Sequence, residues 1–335
     1  MATIAEVAKK AGVSTATASR ALSGKPNVSP DAKAKVVAAA RNLKYTPNAA
    51  AKSLRMSRSS LLGLIVPDIE NPFYSTLAGN VEKHAREAGY NIILCNTGFS
   101  GEVEKEYLEL LVGRQVDGLL ICRTDSRATP PKDPESKVLP VVIMDRASEN
   151  EKESYITVDN VSVGALAAKH LLELGHRHFA CVAEHIDHST VKIRVDEFAR
   201  LVGKGLPAER IVTTTEGFLG AKKATKRILA SRSKERPTAF YCTNDMLALG
   251  VMQAAYECGL KIPDDVSVVG TDGIFQGEFF SPPLTTVYQP FNEIARLAVK
   301  TLLDLIENQT PHSVGLMVKP KLITRSSTGP ATPRK

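Results

Sequence analysis

Residues 4–22 read IAEVAKKAGVSTATASRAL. The chemistry these side chains offer is recognition. Arg20 can make a bidentate contact to the O6 and N7 of guanine, and threonine presents a hydroxyl and a methyl group to base edges. Small residues let a helix backbone approach a groove closely. Residues 14–30 hold no acidic side chain that phosphate would repel. Serine and threonine near a helix N-terminus, beside free backbone N–H groups, can anchor phosphate oxygens. The plainer alternative is a helical hairpin with exposed hydroxyl residues. The charge distribution weighs against it. Residues 1–60 hold 11 lysines and arginines against 2 acidic residues, a local +9, whereas the remainder holds 32 against 34. A small basic head on a nearly neutral body is the footprint of a polyanion binder.

Helices must position these groups. Ile4, Val7, Ala8 and Ala11 recur at i, i+3, i+4 and i+7, which predicts a helix over 4–11. Thr3 and Glu6 are spaced for a capping box. Gly12 supplies a turn, and a second helix is expected from about Thr15 with Ser14 as its cap. Ser29-Pro30-Asp31 announces a third helix running to about Asn42, and Tyr45-Thr46-Pro47 closes the segment. Residues 47–60, PNAAAKSLRMSRSS, read as a linker or a short hinge.

A second set of candidate groups lies further on. From residue 61, apolar runs such as LLGLIV, IILCN and GLLIC alternate with helical patterns. Strands are expected at 61–66, 92–96, 118–122, 141–145, 156–159, 179–183, 211–214, 239–243 and 266–270, with a last one near 316–324. Helices fall between them, at 74–88, 102–113, 161–174, 190–202, 220–230, 246–258 and 291–308. That alternation means parallel sheets with helices on both faces. About 270 residues of it exceed one core, so two lobes are expected. The strand ends read VPDIENPFY, CNTGF, CRTD, MDR, AEHIDHST, TNDM and GTDG. Ligands bind beyond the carboxyl ends of such strands, and these polar residues suit a small molecule rich in hydroxyls.

Other classes of function find little support. There is no GxGxxG after a strand, no GxxxxGK[ST] and no nucleophile elbow, which argues against an enzyme. Cys95, Cys122, Cys181 and Cys242 sit in apolar runs without CxxC spacing and read as buried reduced thiols. His185 and His188 share one loop with no cysteine partner, too little for a metal site, and no cofactor is expected. The N-terminus has no signal-peptide pattern, and no run approaches the roughly 18 apolar residues that span a bilayer. A cytoplasmic protein is expected. The Pro-rich stretch 124–137 reads as a loop, and residues 331–335 as a mobile tail.

The chain resembles the LacI–GalR family of bacterial transcription regulators. ATIAEVAKKAGVSTATASRAL, YTPNAAAKSL, VPDIENPFY, QVDGLLI, LGHRHFACV, TAFYCTND, IPDDVSVVGTDG and LTTVYQP are similar to its blocks, in order and at its spacing. The resemblance implies an all-α helix–turn–helix headpiece (1–46), a hinge (47–60) and a two-lobed α/β body of the type I periplasmic-binding-protein kind with parallel sheets (61–330). Lobe 1 would comprise about 61–158 and 290–319, and lobe 2 about 159–288 and 321–330. Thr15, Ala16 and Arg20 would read the major groove. Ser14, Thr17, Asn27 and Tyr45 would meet phosphates, and Thr3, Asn48 and Arg55 join the DNA-binding set. Lys52 would lie near the minor groove, and Leu54 would wedge between the central base pairs and kink the site.

In the body, Arg194, Asn244 and Asp272 would bond the effector, with Thr190 and Gln289 beside them. Phe73 and Tyr74 would form an apolar wall, and Asp145 and Arg146 sit at a strand end facing the cleft. The loop AEHIDHST carries Glu184, His185, Asp187 and His188 where relatives usually have Gly, Pro or Ser, which makes His188 a candidate for effector selectivity. The expected function is a repressor that binds a pseudo-palindromic operator as a homodimer under control of a small polar effector: a sugar, sugar phosphate, polyol or nucleoside. No membrane partner is expected. The alternatives are a solute-binding protein, which the basic head disfavours, and a regulator answering to a protein co-effector.

Overall fold

The computed structural model describes residues 2–22, 28–45, 58–124, 139–148, 150, 153–186, 189–230, 236–308 and 313–332. The chain divides into two compact units, Met1–Ser60 and Leu61–Lys335.

The first unit holds three helices: α1 (Ile4–Ala11), α2 (Thr15–Leu22) and α3 (Pro30–Asn42). The capping box at α1 forms as its spacing predicts. The Thr3 N–H donates to Glu6 Oε2 at 2.7 Å, and the Glu6 N–H donates to Thr3 Oγ1 at 3.4 Å. Gly12 ends the helix in the left-handed region at φ 66°, where a Cβ is unfavourable. Ser29 accepts the Ala32 N–H at 3.3 Å, with Pro30 at the first helical position. The core is small and mostly alanine: Val7, Ala8, Ala11, Ala18, Ala21, Val36, Ala39 and Ala40. Small side chains at the crossings let three short helices pack closely.

The second unit contains two six-stranded sheets. The first is built from β1 (Leu61–Val66), β2 (Asn91–Asn96), β3 (Gly118–Ile121), β4 (Val141–Met144), β5 (Ser154–Val158) and β11 (Gly315–Val318), in the order β2-β1-β3-β4-β5-β11. All of its pairings are parallel. The second uses β6 (Phe179–Glu184), β7 (Ile211–Thr214), β8 (Ala239–Cys242), β9 (Ser267–Asp272), β10 (Thr285–Tyr288) and β12 (Lys321–Ile323), in the order β7-β6-β8-β9-β10-β12. Only its edge pair, β10 with β12, is antiparallel.

Helices cover both faces of each sheet. In the first lobe, α4 (Pro72–Glu87) and α10 (Phe291–Asn308) pack on one face, and α5 (Gly101–Gly113) on the other. In the second, α6 (Asn160–Glu173) and α7 (Ser189–Val202) lie on one face, and α8 (Gly217–Ala230) and α9 (Asp245–Glu257) on the other. The strands alternate accordingly. Leu62, Leu64 and Val66 meet α4 and α10, while Ile65 meets the α5 side. Burial on both faces is why LLGLIV and GLLIC are continuous apolar runs. Gly63 is demanded by this packing, because a Cβ there would stand 2.4 Å from Leu119 Cδ2. Cys95, Cys122, Cys181 and Cys242 are buried free thiols, as their apolar runs predict, and Cys258 is exposed.

Three expectations need correction. The last strand, expected near 316–324, is two strands in different sheets. Pro320 lies between them and has no N–H to continue a ladder. Strand β10, Thr285–Tyr288, was not expected at all. It is four residues long and bounded by Pro282-Pro283 and Gln289-Pro290, which read as loop. The tail 331–335 was expected to be mobile, but Ala331 and Thr332 are tied down. The Ala331 N–H donates to Leu174 O at 2.8 Å, and Thr332 Oγ1 donates to Asp264 O at 3.0 Å. The Pro-rich stretch from 125 onward and the linker 47–57 lie outside the described residues.

Among the described residues the chain passes between the lobes at three points: after β5, after β10, and between β11 and β12. These crossovers border the carboxyl ends of the strands.

Candidate nucleic-acid interface and effector cleft

On α2, Ala18 and Ala21 enter the core, and this leaves Thr15, Ala16 and Arg20 exposed on the opposite side. The 3.6-residue period places these three within one face of the helix, with half-buried Ser19 among them. Ser19 was not assigned a role from the sequence, although its i+4 spacing from Thr15 was visible there. Ser14 caps the helix: its Oγ accepts the Thr17 N–H at 3.1 Å and lies 2.8 Å from Thr17 Oγ1. The first turn of α2 carries no acidic side chain, so the positive end of its dipole is unopposed by charge. Thr3 is exposed but spends its hydroxyl on the α1 cap. Tyr45 is half-buried against the alanine core, and its N–H donates to Ala40 O at 2.9 Å. Asn27, Asn48, Lys52, Leu54 and Arg55 lie outside the described residues.

The body presents a polar cleft where the strand ends of the two lobes meet. From the first lobe it is lined by Asn71, Phe73, Tyr74, Phe99 and Asp145. From the second come Glu184, His185, Thr190, Val191, Arg194, Thr243, Asn244 and Asp272, and Gln289 follows β10 at the crossover. The structure thus brings together Phe73, Tyr74, Thr190, Arg194, Asn244, Asp272 and Gln289, with Asp145 beside them. Arg146 is not among the lining residues. Asp145 stands at φ 70°, and after this turn Arg146 is buried with Nη1 donating to Thr124 O at 3.4 Å. His188 lies outside the described residues. Asn71, Phe99 and Thr243 were not assigned individually, though all three fall in the strand-end stretches singled out by the sequence.

Each cleft side chain is held by its surroundings. Asn71 caps α4 and accepts the Phe73 N–H at 3.0 Å, and Pro72 occupies the first turn. This fixes Phe73 edge-on to Tyr74, with ring centroids 4.9 Å apart. Arg194 is only 5% exposed. Its Nε donates to Asn160 Oδ1 at 2.6 Å, and its Nη1 donates to Thr243 O at 3.1 Å. Asn244 caps α9 by accepting the Leu247 N–H at 2.8 Å, while its Nδ2 donates to Glu184 Oε2 at 2.8 Å. Asp272 accepts from Gln289 Nε2 at 2.8 Å, so two predicted effector residues are partners of each other. Behind them, buried Asp245 accepts from Thr286 Oγ1 at 2.6 Å and from the N–H groups of Gly273 and Ile274 at 2.8 and 2.9 Å.

Burial dominates the electrostatics. It raises the Asp145 carboxyl, against the opposing pull of Arg194 and Arg146. It lifts Asp272 well above the usual carboxylate range, with neighbouring Asp245 adding to the effect. Asp245 is raised to about 7 by burial, which its three hydrogen bonds only partly offset. Such a cleft favours ligands that both donate and accept hydrogen bonds. Among the described residues, no group of three or more potential ligands could hold a metal ion.

An exposed polar face on a basic three-helix unit, joined in one chain to a two-lobed parallel α/β body with a polar cleft, defines a ligand-responsive DNA-binding regulator. The chain belongs to the LacI family of bacterial regulatory proteins. The model described as bacterial regulatory proteins, lacI family, matches residues 3–48, and that for a periplasmic binding protein-like domain matches residues 168–328. The chain is 35% identical to the HTH-type transcriptional repressor PurR of Aliivibrio fischeri over 331 residues, covering 98% of both proteins. It is 34% identical to the ribose operon repressor of Escherichia coli, covering 98% of this chain and 100% of that one. Its fold is similar to that of the lac repressor dimer bound to operator and the anti-inducer ONPF. There the TM-score is 0.81 at 25% identity, over 98% of this chain and 99% of that one. The protein is a DNA-binding transcription regulator. Among the described residues no helix is long and apolar enough to cross a membrane.

Proposed function

We propose that the protein is a cytoplasmic, non-enzymatic repressor. It binds a two-fold operator as a homodimer, and its grip is set by a small uncharged, hydroxyl-rich effector in the cleft. The observation that carries the regulatory reading is the convergence of Arg194, Asp272 and Gln289 on one cleft at the lobe crossovers. Closing such a cleft on a ligand shifts the lobes, and that shift is the signal available to the hinge and head.

Charge narrows the effector. The described lining residues hold three carboxyl groups, Asp145, Glu184 and Asp272, two of them pushed toward the neutral form by burial, and a single guanidinium, Arg194, whose Nε and Nη1 already donate within the protein. Two helix N-termini at the cleft, those of α4 and α9, are already capped by Asn71 and Asn244. A neutral sugar or polyol fits this environment better than a sugar phosphate. The similarity to a protein named ribose operon repressor supports the same class. The buried acids Asp245 and Asp272 are engaged in internal hydrogen bonds, which favours a binding site over a catalytic one.

In the head, Thr15, Ala16 and Arg20 read base edges in this proposal, while Ser14, Thr17, Asn27 and Tyr45 contact phosphates. Residues 47–60 form the hinge, with Lys52 and Leu54 at the minor groove. One recognition helix reads few base pairs, so two-fold pairing supplies specificity. Exposed Leu219, Tyr256, Phe275 and Phe279 on the second lobe offer apolar area for pairing.

The test is fluorescence anisotropy of a labelled site selected from random DNA by this protein, titrated at fixed salt. It is repeated with neutral sugars and polyols and with their phosphate esters. The expected result is a palindromic site taking two protomers, with affinity moved by a neutral compound. Sequence-blind binding contradicts the operator reading, and a response confined to phosphate esters contradicts the charge argument.

A further inference from the structure

One contact at the cleft joins the lobes directly. Phe99 follows β2 in the first lobe, and His185 follows β6 in the second. Their rings stack at a centroid distance of 4.4 Å and an interplanar angle of 28°. Both residues line the cleft. Both also stand in the left-handed backbone region, Phe99 at φ 60° and His185 at φ 50°, which residues with a Cβ rarely occupy. Such conformations persist where the surrounding structure fixes them, and they cluster at clamps and switch regions.

Each ring is anchored to its own lobe. The Phe99 N–H donates to Pro67 O at 3.2 Å, just beyond β1. The His185 N–H donates to Thr214 O at 3.4 Å, at the end of β7. The separation of the rings therefore follows the separation of the lobes. A rotation about the three crossovers that parts the strand ends must break the stack.

We propose that the Phe99–His185 stack is a latch across the cleft. It holds the strand ends of the two lobes together and so biases the equilibrium between lobe arrangements that the effector moves. The proposal rests on reading the cleft as regulatory. An aromatic pair of this kind is worth about a 2- to 12-fold change in an equilibrium constant. That is enough to change how much effector is needed, and too little to prevent opening.

The test uses the full chain without effector. Operator affinity is measured at fixed salt for Phe99→Ala, His185→Ala, the double variant and His185→Phe, together with thermal stability. Both alanine variants are expected to shift operator affinity in the same direction by about 2- to 12-fold. The double variant should shift it no further than either single one, because each breaks the same stack. His185→Phe, which keeps a ring, should hold the wild-type affinity. Melting temperatures near wild type would separate this from general destabilisation. Unchanged operator affinity in the single variants, or effects that add, would overturn the latch. Sequence-blind binding by the wild type would overturn the operator reading itself, and the latch with it.

Discussion

Arg194 donates through Nε to Asn160 Oδ1 at 2.6 Å, and Asn160 stands where the chain passes from the first lobe into the second. Asn160 is itself fixed by donating through Nδ2 to Val158 O at 3.1 Å, at the end of β5. The cleft guanidinium is thus one hydrogen bond from a crossover. Asp272 reaches the second crossover in the same way, through Gln289. A ligand that pulls on Arg194 and Asp272 pulls on two of the segments about which the lobes rotate. Two discrete lobe arrangements biased from this site would provide a physical basis for allosteric coupling.

Asn160→Ala should therefore weaken effector binding without removing a direct contact. A hydrogen bond to a charged group is worth about 1.5–3 kcal/mol, so affinity should fall roughly 10- to 150-fold. Calorimetry with the compound that moves operator affinity checks this. Unchanged affinity would mean that Arg194 is positioned by Thr243 alone.

Gly164 in α6 passes so close to α7 that a Cβ would stand 2.3 Å from the Arg194 backbone oxygen. Backbone cannot yield as a flexible side chain can. Gly164→Ala should cost the body about 1–3 kcal/mol in urea unfolding and displace Arg194, lowering effector affinity as well. Wild-type stability would show that the two helices separate freely.

Asp272→Asn should change the pH dependence of stability. Burial raises Asp272 and Asp245 in the folded protein, Asp245 to about 7. A raised folded pKa means the native state keeps protons that the unfolded chain releases. The associated stabilisation is complete below the unfolded value of about 4 and is lost as pH rises through the folded value. Removing one charge of the pair should raise the melting temperature relative to wild type most at pH 8 and less at pH 5, with the difference vanishing only below about pH 4. A deficit that is the same at both pH values would contradict this.

Arg20→Ala should cost about 1–3 kcal/mol on the selected operator and flatten preference at one base pair. Competition binding against single-position variants of the site reads this out. Equal losses on operator and random DNA would make Arg20 a phosphate contact instead.

Much of this architecture was legible in local patterns. The Thr3–Glu6 capping box, the Ser29-Pro30 helix start and the doubly buried strands are short-range signals, and the structure shows each of them. What failed depended on context. TTVY is made of strand-favouring residue types, but four residues between prolines are too short a run to stand out, and it is the pairing with β9 and β12 that makes it a strand. In the cleft, the strand-end rule marked the stretches containing Asn71, Phe99 and Thr243. It did not reveal that Phe99 meets His185, because that contact depends on how two lobes close. Nor is the left-handed turn at Asp145, after which Arg146 is buried and donates to Thr124 O, encoded by a glycine.

The most direct test of the central claim, that cleft and operator are coupled, is reciprocal linkage. Effector affinity is measured by calorimetry on the full chain, free and saturated with operator at the same salt. The expected result is a change by the same factor by which saturating effector changes operator affinity, since coupling free energy is shared between the two sites. Effector affinity unaltered by operator would contradict the account, leaving a cleft that binds its ligand without informing the head.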